Sequence, residues 1–120
     1  MIRVALDAMG GDFGPDVTVP AALAALSRHG ELALTLVGDA AVIESLLAKA
    51  SPALRERCTV VHAPQRVEMD ERPSVALRTK RESSMRLAID LVRDGHSDAC
   101  VSAGNTGALM AIARYVLKTL

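Results

Sequence analysis

The residues best suited to chemistry in this chain of 120 residues stand in the run Ala99-Cys100-Val101-Ser102-Ala103-Gly104-Asn105-Thr106-Gly107-Ala108-Leu109-Met110. A short apolar stretch gives way to small polar residues and glycines, then to a helical pattern. That order predicts a strand, a tight turn and a helix start. Ser102, Asn105 and Thr106 offer side-chain donors, Gly104 and Gly107 permit close backbone approach, and the first helical amides have no intrahelical acceptor. Together these are the parts of an anion site. The plainer alternative is an ordinary strand-to-helix turn capped by Asn105 or Thr106. The chain has no GxxxxGK[ST] loop, and Gly104-Asn105-Thr106-Gly107 is not GxGxxG, so the anion need not be a nucleotide.

A helix N-terminus contributes only about 0.3 to 1 kcal/mol to holding an anion, whereas millimolar affinity requires about 4 kcal/mol. Amide hydrogen bonds and a cation must therefore add to it. Arg78, Lys80 and Arg81, leading to Ser83-Ser84 at a helix start, are the nearest cationic candidates. Against this, Ser83 is equally suited to be an N-cap, and short basic runs are usually solvated. Asp7 and Asp12 carry the wrong sign for an anion site. Their better role is to orient a cation, fix backbone amides or cap a turn, and magnesium held between them is the lesser reading. His29, His62 and His96 stand singly and receive no catalytic part. Cys58 and Cys100 show no CxxC and no histidine at ligand spacing, so buried reduced thiols are expected.

The elements that must position these groups alternate between strand and helix. Ile2 to Leu6 reads as a strand buried on both faces, ending at Asp7 where a doubly wound fold places ligand-facing loops. Residues 8–16, with three glycines and a proline, form a loop whose Asp16 is expected to cap the next helix. Pro20 is placed in that helix's first turn and Gly30 at its stop. Ala33 to Val37 makes a second strand, followed by a helix with Val42, Ile43, Leu46 and Leu47. Ser51-Pro52 ends or restarts that helix, and Thr59 to His62 is a third strand. Residues 67–80 are ambiguous between a short helix begun by Pro73 and a mobile loop. Met85, Ala88, Ile89 and Val92 give the clearest amphipathic helix, which Gly95 closes. Ala99 to Val101 is the fourth strand, and Leu109, Ile112, Ala113 and Val116 mark a last helix. No glycine or proline stops that helix in Lys118-Thr119-Leu120, so the chain reads as the front part of a longer protein.

Half of the residues are hydrophobic, but only one Phe, one Tyr and no Trp are present. Ala, Leu and Val suit buried parallel strands and closely packed helices, and leave little for stacking on bases. Fourteen basic and fourteen acidic residues cancel, so no global field recruits nucleic acid or an anionic membrane. Met1-Ile2-Arg3-Val4-Ala5-Leu6-Asp7 is unlike a signal peptide and no apolar run reaches membrane-spanning length. A cytoplasmic location is expected.

Three blocks in this order, Asp7-Ala8-Met9-Gly10-Gly11-Asp12, Arg78-Thr79-Lys80-Arg81-Glu82-Ser83-Ser84-Met85 and Val101-Ser102-Ala103-Gly104-Asn105-Thr106-Gly107-Ala108, make the chain resemble the N-terminal third of bacterial acyl-acyl carrier protein:phosphate acyltransferases. The resemblance implies a three-layer α/β/α fold with a mainly parallel sheet, similar to phosphate acetyltransferases and isocitrate or isopropylmalate dehydrogenases. Residues 1–120 would be the N-terminal portion of one such domain, incomplete and not necessarily active alone. It implies transfer of a long acyl chain from acyl carrier protein to inorganic phosphate, giving acyl phosphate for phospholipid synthesis. No cofactor is expected; a homodimer and peripheral membrane association through later parts of the chain are. Carried onto these blocks, Lys80 and Asn105 would be catalytic. Asp7, Gly10, Gly11, Ser83, Ser102, Gly104, Asn105, Thr106 and Gly107 would bind phosphate or substrate. Two other readings stay open: a nucleotide- or NAD-binding relative of the same fold, and a non-catalytic protein that binds a carrier protein.

Overall fold

A computed structural model of the chain describes residues 1–118. The elements run β1 (Ile2–Asp7), α1 (Pro15–Arg28), β2 (Leu32–Gly38), α2 (Ala40–Leu47), α3 (Pro52–Arg55), β3 (Cys58–His62), α4 (Pro73–Thr79), α5 (Ser84–Arg93), β4 (Ala99–Val101) and α6 (Thr106–Leu117). All strand pairs are parallel, in the order β3-β2-β1-β4. Helices cover both faces, so the architecture is three-layer α/β/α.

The period-two alternation of the strands sorts side chains between the layers. Val4 and Leu6 of β1, with Leu34 and Leu36 of β2, pack against Val19, Ala22 and Leu26 of α1 and Ile43 and Leu47 of α2. Ala5 and Val37 face the other way, onto Ala88 of α5. Beyond α5, Met85 and Ile89 join Ala76 of α4 and Ala108, Ile112 and Val116 of α6. A fully buried Leu or Ile in such a cluster contributes about 1.5 to 3 kcal/mol, most of it offset by chain entropy. The far end of α1 is tied by Arg57, whose guanidinium donates to the carbonyls of Leu26 (2.9 Å), Leu32 (3.0 Å) and His29.

Several local expectations need correction. α1 begins at Pro15, a residue pre-organised for the first helical position, so Asp16 sits inside the first turn and does not cap. Gly14 is the N-cap, with φ 59°. The same early start puts Pro20 inside the helix beyond its first turn, on an exposed face. The helix ends at His29 in an extended conformation, ahead of Gly30. β1 is exposed at Ile2 and Arg3 and becomes buried only toward Asp7. Cys58 and Cys100 are free thiols, but only half-buried, because β3 and β4 are the outer strands. Burial still pushes both thiols up, and the Asp7 carboxylate pushes Cys100 further. Both ambiguous segments are helical: Ser51 accepts from the Leu54 amide (3.4 Å) to start α3, and Pro73 starts α4. α6 closes with Lys118 in the left-handed region (φ 54°), while Thr119 and Leu120 lie outside the described residues.

From β1 the chain builds outward through β2 to β3, then returns to add β4 on the other side of β1. The strand order therefore reverses between β1 and β4. Ligands of open α/β sheets bind at the carboxyl ends of the strands flanking such a reversal. The residues there are Asp7-Ala8-Met9-Gly10-Gly11 and Ser102-Ala103-Gly104-Asn105.

Candidate active site

Asp7 is the centre of this region. It is the last residue of β1, 2 % exposed, and points toward α5. Its Oδ1 accepts from the Ser84 hydroxyl (2.5 Å) and the Met9 amide (3.2 Å), and its Oδ2 accepts from the Ser102 hydroxyl (2.8 Å). Ser102 Oγ in turn accepts from the Gly104 amide (3.0 Å). A buried carboxylate needs such donors. Two of them come from stretches far along the chain, so Asp7 fixes their register, and among the described residues no lysine or arginine bonds to it. Asp12 is exposed and is not among the partners of this carboxylate.

Gly10 closes the same knot from above. A Cβ there would lie 3.0 Å from Asp7 Oδ2, Ser102 Oγ and the Gly104 nitrogen alike. Gly104 is itself buried, with Met85 Cε and Ser102 Oγ each 3.2 Å from its notional Cβ. Gly11, at φ 88°, carries the loop over Ala103. Gly107 has a different task, since its Cβ would meet Pro73 Cγ at 2.9 Å. It lets the start of α6 rest on the start of α4.

Asn105, 9 % exposed, is the N-cap of α6. Its Oδ1 accepts from the Ala108 amide (3.1 Å), and its Nδ2 donates to the carbonyls of Glu68 (3.1 Å) and Glu71 (2.8 Å). Lys80 fastens the same segment: its Nζ donates to the Arg66 carbonyl (2.8 Å) and pairs with Glu71 Oε1 (2.9 Å). Burial alone would raise the Glu71 pKa, but hydrogen bonds from the Glu68 amide and from Lys80, aided by the Lys80 charge, lower it overall. Ser83 is fully buried and caps α5, accepting from the Arg86 amide (3.1 Å). Lys80, Ser83 and Asn105 therefore make structural bonds within the protein.

What remains open to a ligand is the first turn of α6. The amides of Thr106 and Gly107 have no acceptor among the described residues, and both residues are exposed. Arg66, which the sequence reading did not single out, is a cation of the segment that Lys80 and Asn105 fasten. Its Nη1 lies 3.9 Å from the notional Cβ of Gly14, and its Nε is 3.8 Å from Glu68 Oε1. That Nε is buried and has no hydrogen-bond partner among the described residues. Ser84 was also missed as a partner of Asp7. Of the remaining basic residues, Arg78 and Arg81 line a different pocket. A larger, apolar cavity of about 460 Å³ runs along α1 past Val4, Leu6 and Val101 and reaches the glycine turn only at Ala103.

Among the described residues no helix is long and apolar enough to cross a membrane. A family model described as "Fatty acid synthesis protein" matches residues 2–120. The phosphate acyltransferase of Nitrosococcus oceani is 59% identical over 119 residues, covering 99% of this chain and 35% of that relative. The phosphate acyltransferase of Methylococcus capsulatus is 58% identical over 120 residues, covering 100% of this chain and again 35% of the relative. That of Vibrio parahaemolyticus is 56% identical over 119 residues. The chain thus spans about a third of the length of these curated relatives. With nearly every residue matched, the chain belongs to the fatty acid synthesis protein family.

Proposed function

We propose that this chain is the N-terminal, phosphate-holding portion of one α/β acyltransferase domain, which moves a long-chain acyl group from acyl carrier protein to inorganic phosphate. The observation that carries the reading is the pair of unpartnered amides at Thr106 and Gly107, opening at the point where the strand order reverses. Two amide donors and the helix end hold two phosphate oxygens, and Arg66 supplies the charge that the helix end cannot. The Asp7 oxygens accept from Ser84, Ser102 and Met9, and these donors offset part of its negative charge. The names of the relatives support the reaction class.

In the proposed reaction a phosphate oxygen attacks the thioester carbonyl carbon, a tetrahedral oxyanion forms, and its collapse breaks the carbon–sulfur bond. The acyl phosphate forms and the carrier thiolate leaves. Phosphate is already anionic near neutral pH, so orientation contributes more than a strong general base. In this reading Lys80, Ser83 and Asn105 are positioning residues: they hold the segment 66–71 and the starts of α5 and α6 where phosphate can be met. Gly10, Gly11 and Gly104 permit the close packing of the two loops. A homodimer in the cytoplasm, touching the membrane peripherally through parts outside this chain, completes the proposal on the strength of the family resemblance.

The test is release of free carrier-protein thiol from a long-chain acyl-acyl carrier protein by the full-length protein, with and without phosphate. Thiol release matched by acyl phosphate, and dependent on phosphate, is expected. A folded full-length protein that releases none overturns the proposal.

A further inference from the structure

The sequence block from Arg78 to Ser84 divides in the structure. Ser84 reaches Asp7 at the end of β1, Lys80 holds Arg66 and Glu71, and Ser83 caps α5, whereas Arg78 and Arg81 line a separate pocket of about 190 Å³ together with Leu77, Arg86 and Tyr115. This pocket lies among α4, α5 and α6 and shares no lining residue with the glycine turn.

Arg86 is the anchored member. Its side chain is 15% exposed, its Nε pairs with Asp90 Oδ1 at 3.1 Å, and its guanidinium lies over the Tyr115 ring, 5.8 Å from the centroid. Its two Nη groups have no hydrogen-bond or ion-pair partner among the described residues and are not sealed from solvent. Arg78 makes only a long bond from Nε to the Ser74 carbonyl of its own helix (3.4 Å). Neither Arg78 nor Arg81 has an ion-pair partner among the described residues. Asp90 pairs with Arg86, and it is shared with Arg93 Nη1 at 3.3 Å. Three arginines thus line one small pocket, and among the described residues only Arg86 of the three has a carboxylate partner, in a chain whose formal net charge is zero.

We propose that this pocket binds a phosphoryl group. One guanidinium fork suffices for the two oxygens of a carboxylate. Three guanidiniums, from α4, the link that follows it and α5, suit the three terminal oxygens and higher charge of a phosphate monoester or free phosphate. The pocket is smaller than the roughly 300 to 1,000 Å³ of sites for drug-sized ligands. It takes the phosphoryl group and leaves whatever bears it outside, beside the exposed ring of Tyr115. Free phosphate and a lipid phosphomonoester headgroup share this chemistry.

Two binding assays on the full-length protein separate those sources: equilibrium dialysis with inorganic phosphate, and co-sedimentation with phosphatidylcholine vesicles with or without phosphatidic acid. Arg78→Gln/Arg81→Gln is expected to weaken one of the two by at least tenfold, while Arg28→Gln/Arg55→Gln, at exposed sites elsewhere, leaves both unchanged. Loss of a phosphate equivalent in dialysis identifies the free ion, and loss of phosphatidic-acid binding alone identifies the headgroup. Arg81→Glu, a single exposed change, must act in the same direction. The proposal is overturned if the double variant binds both probes like wild type, if the control pair weakens binding equally, or if wild type binds neither. The site at the α6 turn contributes its own phosphate equivalent, so its failure leaves the effect of Arg78 and Arg81 intact.

Discussion

Gly10→Ala is the sharpest test of how the strand ends are held together. The glycine has no positive φ, so alanine meets no backbone objection. It meets only atoms: its Cβ would stand 3.0 Å from Asp7 Oδ2, Ser102 Oγ and the Gly104 nitrogen. Two of these belong to a buried hydrogen-bonded chain and the third to backbone, so none can swing aside as a flexible side-chain tip would. Overpacking of this kind costs about 1 to 3 kcal/mol, and loosening the charged Ser102–Asp7 bond costs about 1.5 to 3 more. Alanine returns about 0.4 to 1 kcal/mol by restricting the unfolded chain. The net expectation is a loss of roughly 1.5 to 5.5 kcal/mol. With a urea dependence of about 1 to 3 kcal/mol per molar, the unfolding midpoint falls by about 0.5 M or more. Gly30→Ala is the control, because nothing lies within 4 Å of its notional Cβ and its φ is not positive; it should be neutral or slightly stabilising. Equal midpoints for the two variants would refute the packing argument at Gly10.

Other perturbations separate positioning from binding. Asn105→Ala removes the cap of α6 and the donor to two carbonyls, so a stability loss of about 2 to 4 kcal/mol is expected in denaturant unfolding; a loss of activity with unchanged stability would contradict its positioning role. Asp7→Ala strands the Ser84 and Ser102 hydroxyls and should destabilise by about 2 kcal/mol or more, measured the same way. The Glu71 pKa is lowered in the folded protein, so its contribution is fully present above the unfolded carboxylate range and is lost as pH falls through the folded value. The stability of wild type relative to Glu71→Gln should therefore shrink on acidification through that window; a difference independent of pH would count against the Glu71–Lys80 pair.

The alternation of strand and helix was legible because it rests on local periodicity: Val4 and Leu6 against Ala5 on β1, or Met85, Ala88 and Ile89 on α5, announce their faces. Boundaries shifted where one residue's local preference outweighed another's, as when Pro15 took the first helical position from which Asp16 had been expected to follow as cap. The glycine turn stood out by its residue types. Its wiring to Asp7 and to residues 68–71 was not legible, because those bonds span long stretches of chain. Ser84 sits one helical turn before Ala88, which faces the sheet, and that spacing was a usable signal for its reach toward Asp7. Arg66 lies in irregular chain with no period to reveal its direction. Lys80 looked like a free cation because nothing in a sequence shows that Glu71 folds back onto it.

The central claim, that phosphate sits on the free amides at the start of α6, is tested most directly by Thr106→Pro. Proline is well suited to the first position of a helix, and Asn105 at ψ 109° already lies outside the helical region that a following proline disfavours. The substitution deletes one amide donor and leaves the helix start in place. Losing a hydrogen bond to a charged ligand costs about 1.5 to 3 kcal/mol, or roughly 10- to 100-fold in phosphate affinity. The KM for phosphate in thiol release by the full-length variant should rise by that factor at unchanged unfolding midpoint. An unchanged KM in a folded, active variant would place the phosphate elsewhere and contradict the account.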